Sequence, residues 1–189
     1  GGISLKDCII IGGGPAGLNA SLVLGRARRE IVLLDHNNAR NKVTHASHGF
    51  ITRDGIKPSE FREIAHQEFK SYPSVEIVSD QVVKLTTIKN GFKVTTDRGY
   101  EWDCRKVILA TGVKEKFPNI PTLQDFYGTS IFNCPYCDGW EYNDKPLAVF
   151  GLIDYTIHMA GILKNWSQDL MIFTNGEELT RSQKKEIKK

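Results

Sequence analysis

Apolar and polar residues follow one another along this chain in distinct rhythms. Unbroken apolar runs at Cys8-Ile9-Ile10-Ile11, Ile31-Val32-Leu33-Leu34, Val107-Ile108-Leu109, Leu147-Ala148-Val149-Phe150 and residues 170–173 predict short strands, the first and third of buried type. Looser runs at residues 75–78, 82–88 and 92–96 predict three more, with Lys89-Asn90-Gly91 as a hairpin turn between the last two. Helix formers around Leu18, Ala20, Leu22 and Leu24 continue to the basic end Arg26-Ala27-Arg28-Arg29, where cations suit a helix C-terminus. A second helix starts at Lys57-Pro58-Ser59-Glu60 and lines Phe61, Ile64, Ala65 and Phe69 on one face. A third covers residues 154–166. Residues 36–57 are polar and irregular and hold His36, His45 and His48, while Pro118 and Pro121 suggest a crossover between domains.

The order strand, turn, helix, strand occurs twice. Gly12 to Asp35 and Gly151 to Thr174 each span 23 positions, and a constant offset of 139 residues superposes the two strand on strand. That repeat predicts an α/β chain with two related nucleotide-binding units of Rossmann type.

Composition narrows the picture further. A chain of 189 residues can hold one good core, or one domain and part of another. At 40% apolar and 25% charged it is neither a disordered tail, a collagen nor a coiled coil. A net charge of +3 is too balanced to argue for nucleic acid, and the basic run from Gln183 to Lys189 reads as a solvated helix end. No eighteen-residue apolar window predicts a membrane span. The opening Gly1-Gly2-Ile3-Ser4-Leu5-Lys6 is not a secretory signal, and its Gly-Gly start without Met reads as a cloning remnant. Four cysteines are too few for a disulfide scaffold, and the close pair Cys134 and Cys137 points to redox or metal chemistry in a reducing, cytoplasmic setting.

The first glycine cluster, Gly12-Gly13-Gly14-Pro15-Ala16-Gly17, has G-x-G-x-x-G spacing between a strand and a helix. Gly12 permits the tight turn, Gly14 lets backbone approach a pyrophosphate, and Gly17 lets the helix pack close to the strand. The N-terminus of the helix favours the anion. Asp35 lies 21 residues beyond Gly14, where a carboxylate can accept from ribose hydroxyls. The motif implies a dinucleotide and does not separate FAD from NAD.

Cys134-Pro135-Tyr136-Cys137 precedes Asp138-Gly139-Trp140-Glu141. The pair reads as a redox dithiol, as half of a zinc site, or as an inert core pair. No second Cys pair or close His pair completes a zinc site in the sequence, so no metal is expected. Asp138 reads as a helix cap, as a proton donor, or as both. Cys8 and Cys104 read as small core hydrophobes.

Three motifs in this order and spacing, the glycine cluster, Ala110-Thr111-Gly112 and Cys134-Pro135-Tyr136-Cys137-Asp138-Gly139, resemble the low-molecular-weight thioredoxin reductase family of flavoproteins. The resemblance implies a three-layer FAD/NAD(P)-binding fold. Residues 1–114 would be the N-terminal part of an FAD domain, and residues 115–189 the start of a pyridine-nucleotide-type domain carrying the dithiol. Gly12, Gly13, Gly14, Pro15, Ala16, Gly17 and Asp35 would hold the ADP half. Val82 would touch the adenine through its backbone, Ala110, Thr111 and Gly112 would pass near the flavin, and His48 would lie near it. Cys137 would be the thiol nearer the flavin, Cys134 the interchange thiol, and Asp138 the acid that protonates a departing thiolate. The expected partner is a thioredoxin-like protein or a small disulfide or dithiol, with a homodimer in the complete protein.

The sequence departs from that family in two respects. At the offset of 139, Gly14 maps to Ile153, Gly17 to Thr156 and Asp35 to Thr174, and no Arg or Lys follows to meet a 2′-phosphate. Ordinary NADPH binding is therefore not expected, which brings forward two alternatives: a dithiol oxidase that hands electrons to oxygen, and a non-enzymatic flavin-binding sensor. The segment that completes the family's FAD domain is also missing after residue 173. The expectation is a fragment or a partly shown chain, poorly stable alone.

Overall fold

The computed structural model describes residues 5–187. The opening Gly1-Gly2-Ile3-Ser4 and the final Lys188-Lys189 of the basic run lie outside the described residues. The chain divides into two compact units, Gly1–Gln124 and Asp125–Lys189.

The first unit is built on a six-stranded sheet of order β3-β2-β1-β6-β5-β4. Its strands are β1 (Lys6–Ile11), β2 (Ile31–Leu34), β3 (Val75–Val78), β4 (Val82–Ile88), β5 (Gly91–Thr96) and β6 (Glu101–Leu109). β3, β2, β1 and β6 run parallel, and β4, β5 and β6 form an antiparallel meander. β2 is buried along its whole length, which explains its unbroken Ile-Val-Leu-Leu. Alternate residues then serve opposite faces. Cys8, Ile10, Ile31 and Leu33 pack with Leu18 and Phe69 on one side, whereas Ile9, Val32 and Leu34 pack with Val94 and Cys104 on the other. Each large aliphatic side chain so buried contributes roughly 1.5–3 kcal/mol.

Helix α1 (Pro15–Arg26) begins with Pro at its first turn and ends on Arg26, an arrangement that suits both ends of the helix dipole. It buries Gly17, Leu18, Ser21 and Gly25, a stripe of helical period, and Ser21 Oγ donates to Gly17 O at 2.8 Å. The basic end is shorter than predicted, because Arg28 turns left-handed at φ 56° and ends the helix. Helix α2 (Pro58–Phe69) packs Phe61, Ala65 and Phe69 onto the first core face.

The strand predicted at residues 107–109 is a correction. β6 extends over nine residues and is not a short buried strand, and Leu109 at its end is 66% exposed. Its first half, rich in Glu, Asp, Arg and Lys, pairs antiparallel with β5, while its second half joins β1 in parallel. The charged half hides the strand from a search for apolar runs.

The second unit begins within the helical turn α3 (Leu123–Phe126) and contains α4 (Pro135–Asp138), β7 (Leu147–Phe150), α5 (Ile153–Leu163), β8 (Leu170–Phe173) and α6 (Arg181–Ile187). β7 and β8 pair in parallel. Cys8 pairs with Ile31 in the first unit and Leu147 with Leu170 in the second, so the 139-residue offset holds for the register itself. α5 ends at Leu163, three residues short of the predicted helix. At the start of α6, Gln183 N donates to Thr180 Oγ1 and Thr180 N to Gln183 Oε1, a reciprocal capping box. Among the described residues, no helix is long and apolar enough to cross a membrane.

Candidate functional site

The candidate chemistry lies in two places, one in each unit. In the first unit, the chain leaves β1 at Gly12 with φ 113°, where a Cβ would sit 2.2 Å from Ala110 O. Ala110 N donates to Ile11 O at 2.8 Å, so the Ala110-Thr111-Gly112 segment begins against the glycine turn. A Cβ on Gly17 would lie 1.8 Å from Gly12 O, and helix and turn can touch only without a side chain there. A Cβ on Gly13 would lie 2.4 Å from Asp35 Oδ2, which puts the carboxylate of Asp35 directly against the turn.

Gly14 differs from its neighbours. It is the N-cap of α1, makes no side-chain capping bond, and has nothing within 4 Å of the place a Cβ would take. Open space before a helix N-terminus whose first N–H groups lack a side-chain acceptor is a cradle for an anion. Asp35, with a side chain only 13% exposed, accepts from Asn37 N at 3.1 Å and lies 3.6 Å from Arg62 Nη1. The residues present thus fit the ADP half of a dinucleotide, with pyrophosphate at Gly14 and ribose at Asp35. Val82 opens β4 and packs its side chain against the buried cluster of Ile9, Val32, Leu34, Val94 and Cys104.

His48 sits in a self-bonded loop. Ser47 and Ile56 close it as a β-bridge, and Asp54 Oδ1 accepts from Gly49 N at 2.9 Å and lies 3.3 Å from His48 Nδ1. The Gly49 N–H, aided by His48, holds the Asp54 carboxyl below the usual carboxylate range.

In the second unit, Cys134 and Cys137 are joined as a disulfide with Cα atoms 5.3 Å apart. Cys134 is the extended N-cap of α4, and both Cys137 N and Asp138 N donate to its carbonyl at 3.2 Å. One turn of helix brings the sulfurs together. Among the described residues, no group of three His, Cys, Asp or Glu side chains that could hold a metal ion converges. Cys137 is exposed and Cys134 half-buried. Asp138 stands at the N-cap of the following 3-10 turn without a side-chain capping bond, so its reading as a cap is not what the fold uses.

Trp166, which sequence reasoning missed, supports this turn. Its ring lies 3.0 Å from where a Gly139 Cβ would be, and the ring of Tyr136 meets it edge-on at 5.3 Å. It follows Cys137 by 29 residues and carries no local signal of that contact.

The second glycine turn does not fit a dinucleotide. Gly151 keeps the positive φ of Gly12, at 150°, but Thr156 fills the position of Gly17 and is fully buried, its hydroxyl without a hydrogen-bond partner. Ile153 occupies the position of Gly14, and Asp154 Oδ1 accepts from Gln183 Nε2 at 2.7 Å. A branched side chain and a carboxylate stand where bare backbone would be needed.

A glycine turn with its acidic partner and a C-x-x-C disulfide in one chain narrow the choice of family, and similarity to known proteins decides it. A model of the pyridine nucleotide-disulphide oxidoreductase family matches residues 6–189. The chain belongs to that family. It is 38% identical over 178 residues to a probable thioredoxin reductase of Arthroderma benhamiae, covering 91% of this chain and 44% of that protein. It is 36% identical over 183 residues to thioredoxin reductase aclD of Aspergillus oryzae, covering 92% and 58%. A crystal structure of a putative thioredoxin reductase TrxB from Bacillus anthracis superposes with a TM-score of 0.92 at 52% identity, covering 96% of this chain and 62% of that one. The chain therefore spans about half the length of these curated relatives. FAD is the flavin of this family, and NADPH its usual partner.

Proposed function

We propose that the chain serves an FAD-dependent thiol-disulfide oxidoreductase of thioredoxin-reductase type, working through Cys134 and Cys137. The observation that carries this reading is the pairing, in one chain, of a bare anion cradle at Gly14 with a disulfide built on a single helical turn. FAD supplies the two-electron chemistry when bound. Gly12, Gly13, Gly14, Pro15, Ala16, Gly17 and Asp35 bind its ADP half. The backbone of Val82 meets the adenine, and Ala110, Thr111, Gly112 and His48 line the flavin side. Residues 1–114 belong to the FAD domain and residues 115–189 to the pyridine-nucleotide-type domain.

Two electrons and two protons convert the Cys134–Cys137 disulfide to a dithiol. Asp138 holds the proton that the departing thiolate takes, with Cys137 as the thiol nearer the flavin. Cys134 then attacks a disulfide of the partner, and Cys137 resolves the mixed disulfide. The partner leaves as a dithiol and the Cys134–Cys137 bond re-forms, so electrons and protons balance. A thioredoxin-like protein or a small disulfide suits this cycle, and exposed Tyr136 and Trp140 offer it apolar contact. The working form is a homodimer in the cytoplasm, where the buried thiols Cys8 and Cys104 stay reduced.

The filled second turn favours a second reading: a dithiol oxidase, in which the same cysteines run in the opposite direction and oxygen takes the electrons. Anaerobic absorbance of the flavin-loaded protein separates the two. Bleaching by NADPH marks the reductase. Bleaching by a dithiol alone, with peroxide formed in air, marks the oxidase. A protein that takes up FAD and responds to neither is a sensor, and failure to bind FAD overturns every version. Cys137→Ser should abolish the dithiol-dependent response.

A further inference from the structure

The first unit has a second concave feature that the redox chemistry leaves unused. A cavity of about 240 Å³ opens beside the start of α2, lined by Lys42, Thr44, His45, Lys57, Ser59 and Arg62. Three of these side chains carry a permanent positive charge, and among the described residues lining it none is acidic. Lys42 Nζ donates to Asn38 Oδ1 and Thr44 Oγ1 donates to Asn41 O at 2.9 Å, which fixes these two side chains at the rim. Arg62 is the most buried of the charged residues there, with its side chain 16% exposed, and its Nη1 is buried without a hydrogen-bond partner. Asp35 Oδ2 at 3.6 Å attracts that guanidinium but stands too far away to accept from it.

Like charges that converge in a concavity repel one another and raise the local affinity for anions. A buried guanidinium N–H without an acceptor also costs free energy, which an oxygen-bearing anion would recover. We propose that this pocket binds a phosphate monoester dianion. Its oxygens would accept from Arg62, Lys42 and Lys57 as charge-assisted bonds and from the Ser59 hydroxyl, a combination a planar carboxylate could not fill as completely. The volume holds a phosphate with some water and is below the range of whole-ligand pockets, so a dinucleotide does not fit inside it. No residue of the Gly12–Gly17 turn lines the cavity, which separates this anion from a pyrophosphate at Gly14. The phosphate is either free or carried on a second nucleotide, whose ribose would lie outside the Asp35 position that the flavin nucleotide takes.

Titration calorimetry of the flavin-loaded protein at low ionic strength tests this. Inorganic phosphate should bind saturably and acetate should not. A Lys42→Gln, Lys57→Gln double variant should bind phosphate at least about tenfold more weakly, as loss of charge-assisted bonds requires, with its FAD content unchanged. Adenosine 2′,5′-bisphosphate binding more tightly than both phosphate and 5′-AMP assigns the group to a nucleotide. Equal affinity for the bisphosphate and phosphate assigns it to a free ion. Line broadening of the 31P signal by the unaltered protein reads the same site without any variant. Absence of saturable phosphate binding, equal response to acetate, or unchanged affinity in the double variant would overturn the proposal.

Discussion

At the scale of single residues, Gly14 and Gly17 look alike in the motif but do different work. A methyl group on Gly17 has no space, since its carbon would lie 1.8 Å from the carbonyl oxygen of Gly12. Gly17→Ala should therefore destabilise the fold by about 3 kcal/mol or more and lower the melting temperature sharply. Gly14→Ala meets open space at an ordinary φ of −76°, so its melting temperature should stay close to that of the parent while FAD content falls. Measuring both quantities on both variants separates packing from binding, and equal losses in the two would refute the distinction. Cys104 makes a second residue-level prediction. Burial, reinforced by Cys8, pushes its thiol pKa up to about 11, and burial pushes Cys8 in the same direction. An unfolded thiol ionises near pH 9, so between pH 9 and 11 the unfolded chain releases a proton that the native chain keeps. Stability should fall as pH rises through that window and be insensitive to this group below it. Urea melts of the parent and of Cys104→Ala should differ in slope against pH there, with the parent losing up to roughly 2 kcal/mol more by pH 11.

At the scale of elements, α4 is too short to hold itself. Its single turn leans on Trp166 through Gly139 and Tyr136. Trp166→Ala should cost about 2 kcal/mol and speed reduction of the Cys134–Cys137 bond by a small thiol, because the turn around the sulfurs loses its support. Trp166→Phe should restore most of the parent rate, which a general loss of stability would not predict. Most elements were legible in the sequence because apolar runs and glycine turns mark them: β1, β2, β7 and β8 coincide with unbroken apolar stretches, and Lys89-Asn90-Gly91 marks the β4–β5 hairpin. Two features were hidden for physical reasons. The first half of β6 is charged because one side of the meander faces water. The support from Trp166 and the contact of Arg62 with Asp35 are made by residues far apart in the chain, and local pattern does not report such contacts.

At the scale of the molecule, two copies of one design have diverged in what their turns can accept. The glycines, Asp35 and the C-x-x-C pair were readable from spacing alone, as was the failure of the second fingerprint. The buried hydroxyl of Thr156 is visible only in the fold. The shared offset has an experimental use, because strand, turn and helix positions in the two halves are in step down to individual pairings. Transplanting the hexapeptide Gly12–Gly17 onto positions 151–156 changes side chains without moving any neighbour along the chain. If those side chains alone close the second turn, the flavin-loaded graft should bind NADPH more tightly than the flavin-loaded parent, read by titration calorimetry. A graft that folds and binds no better would mean that more than these six residues set the second turn apart from the first.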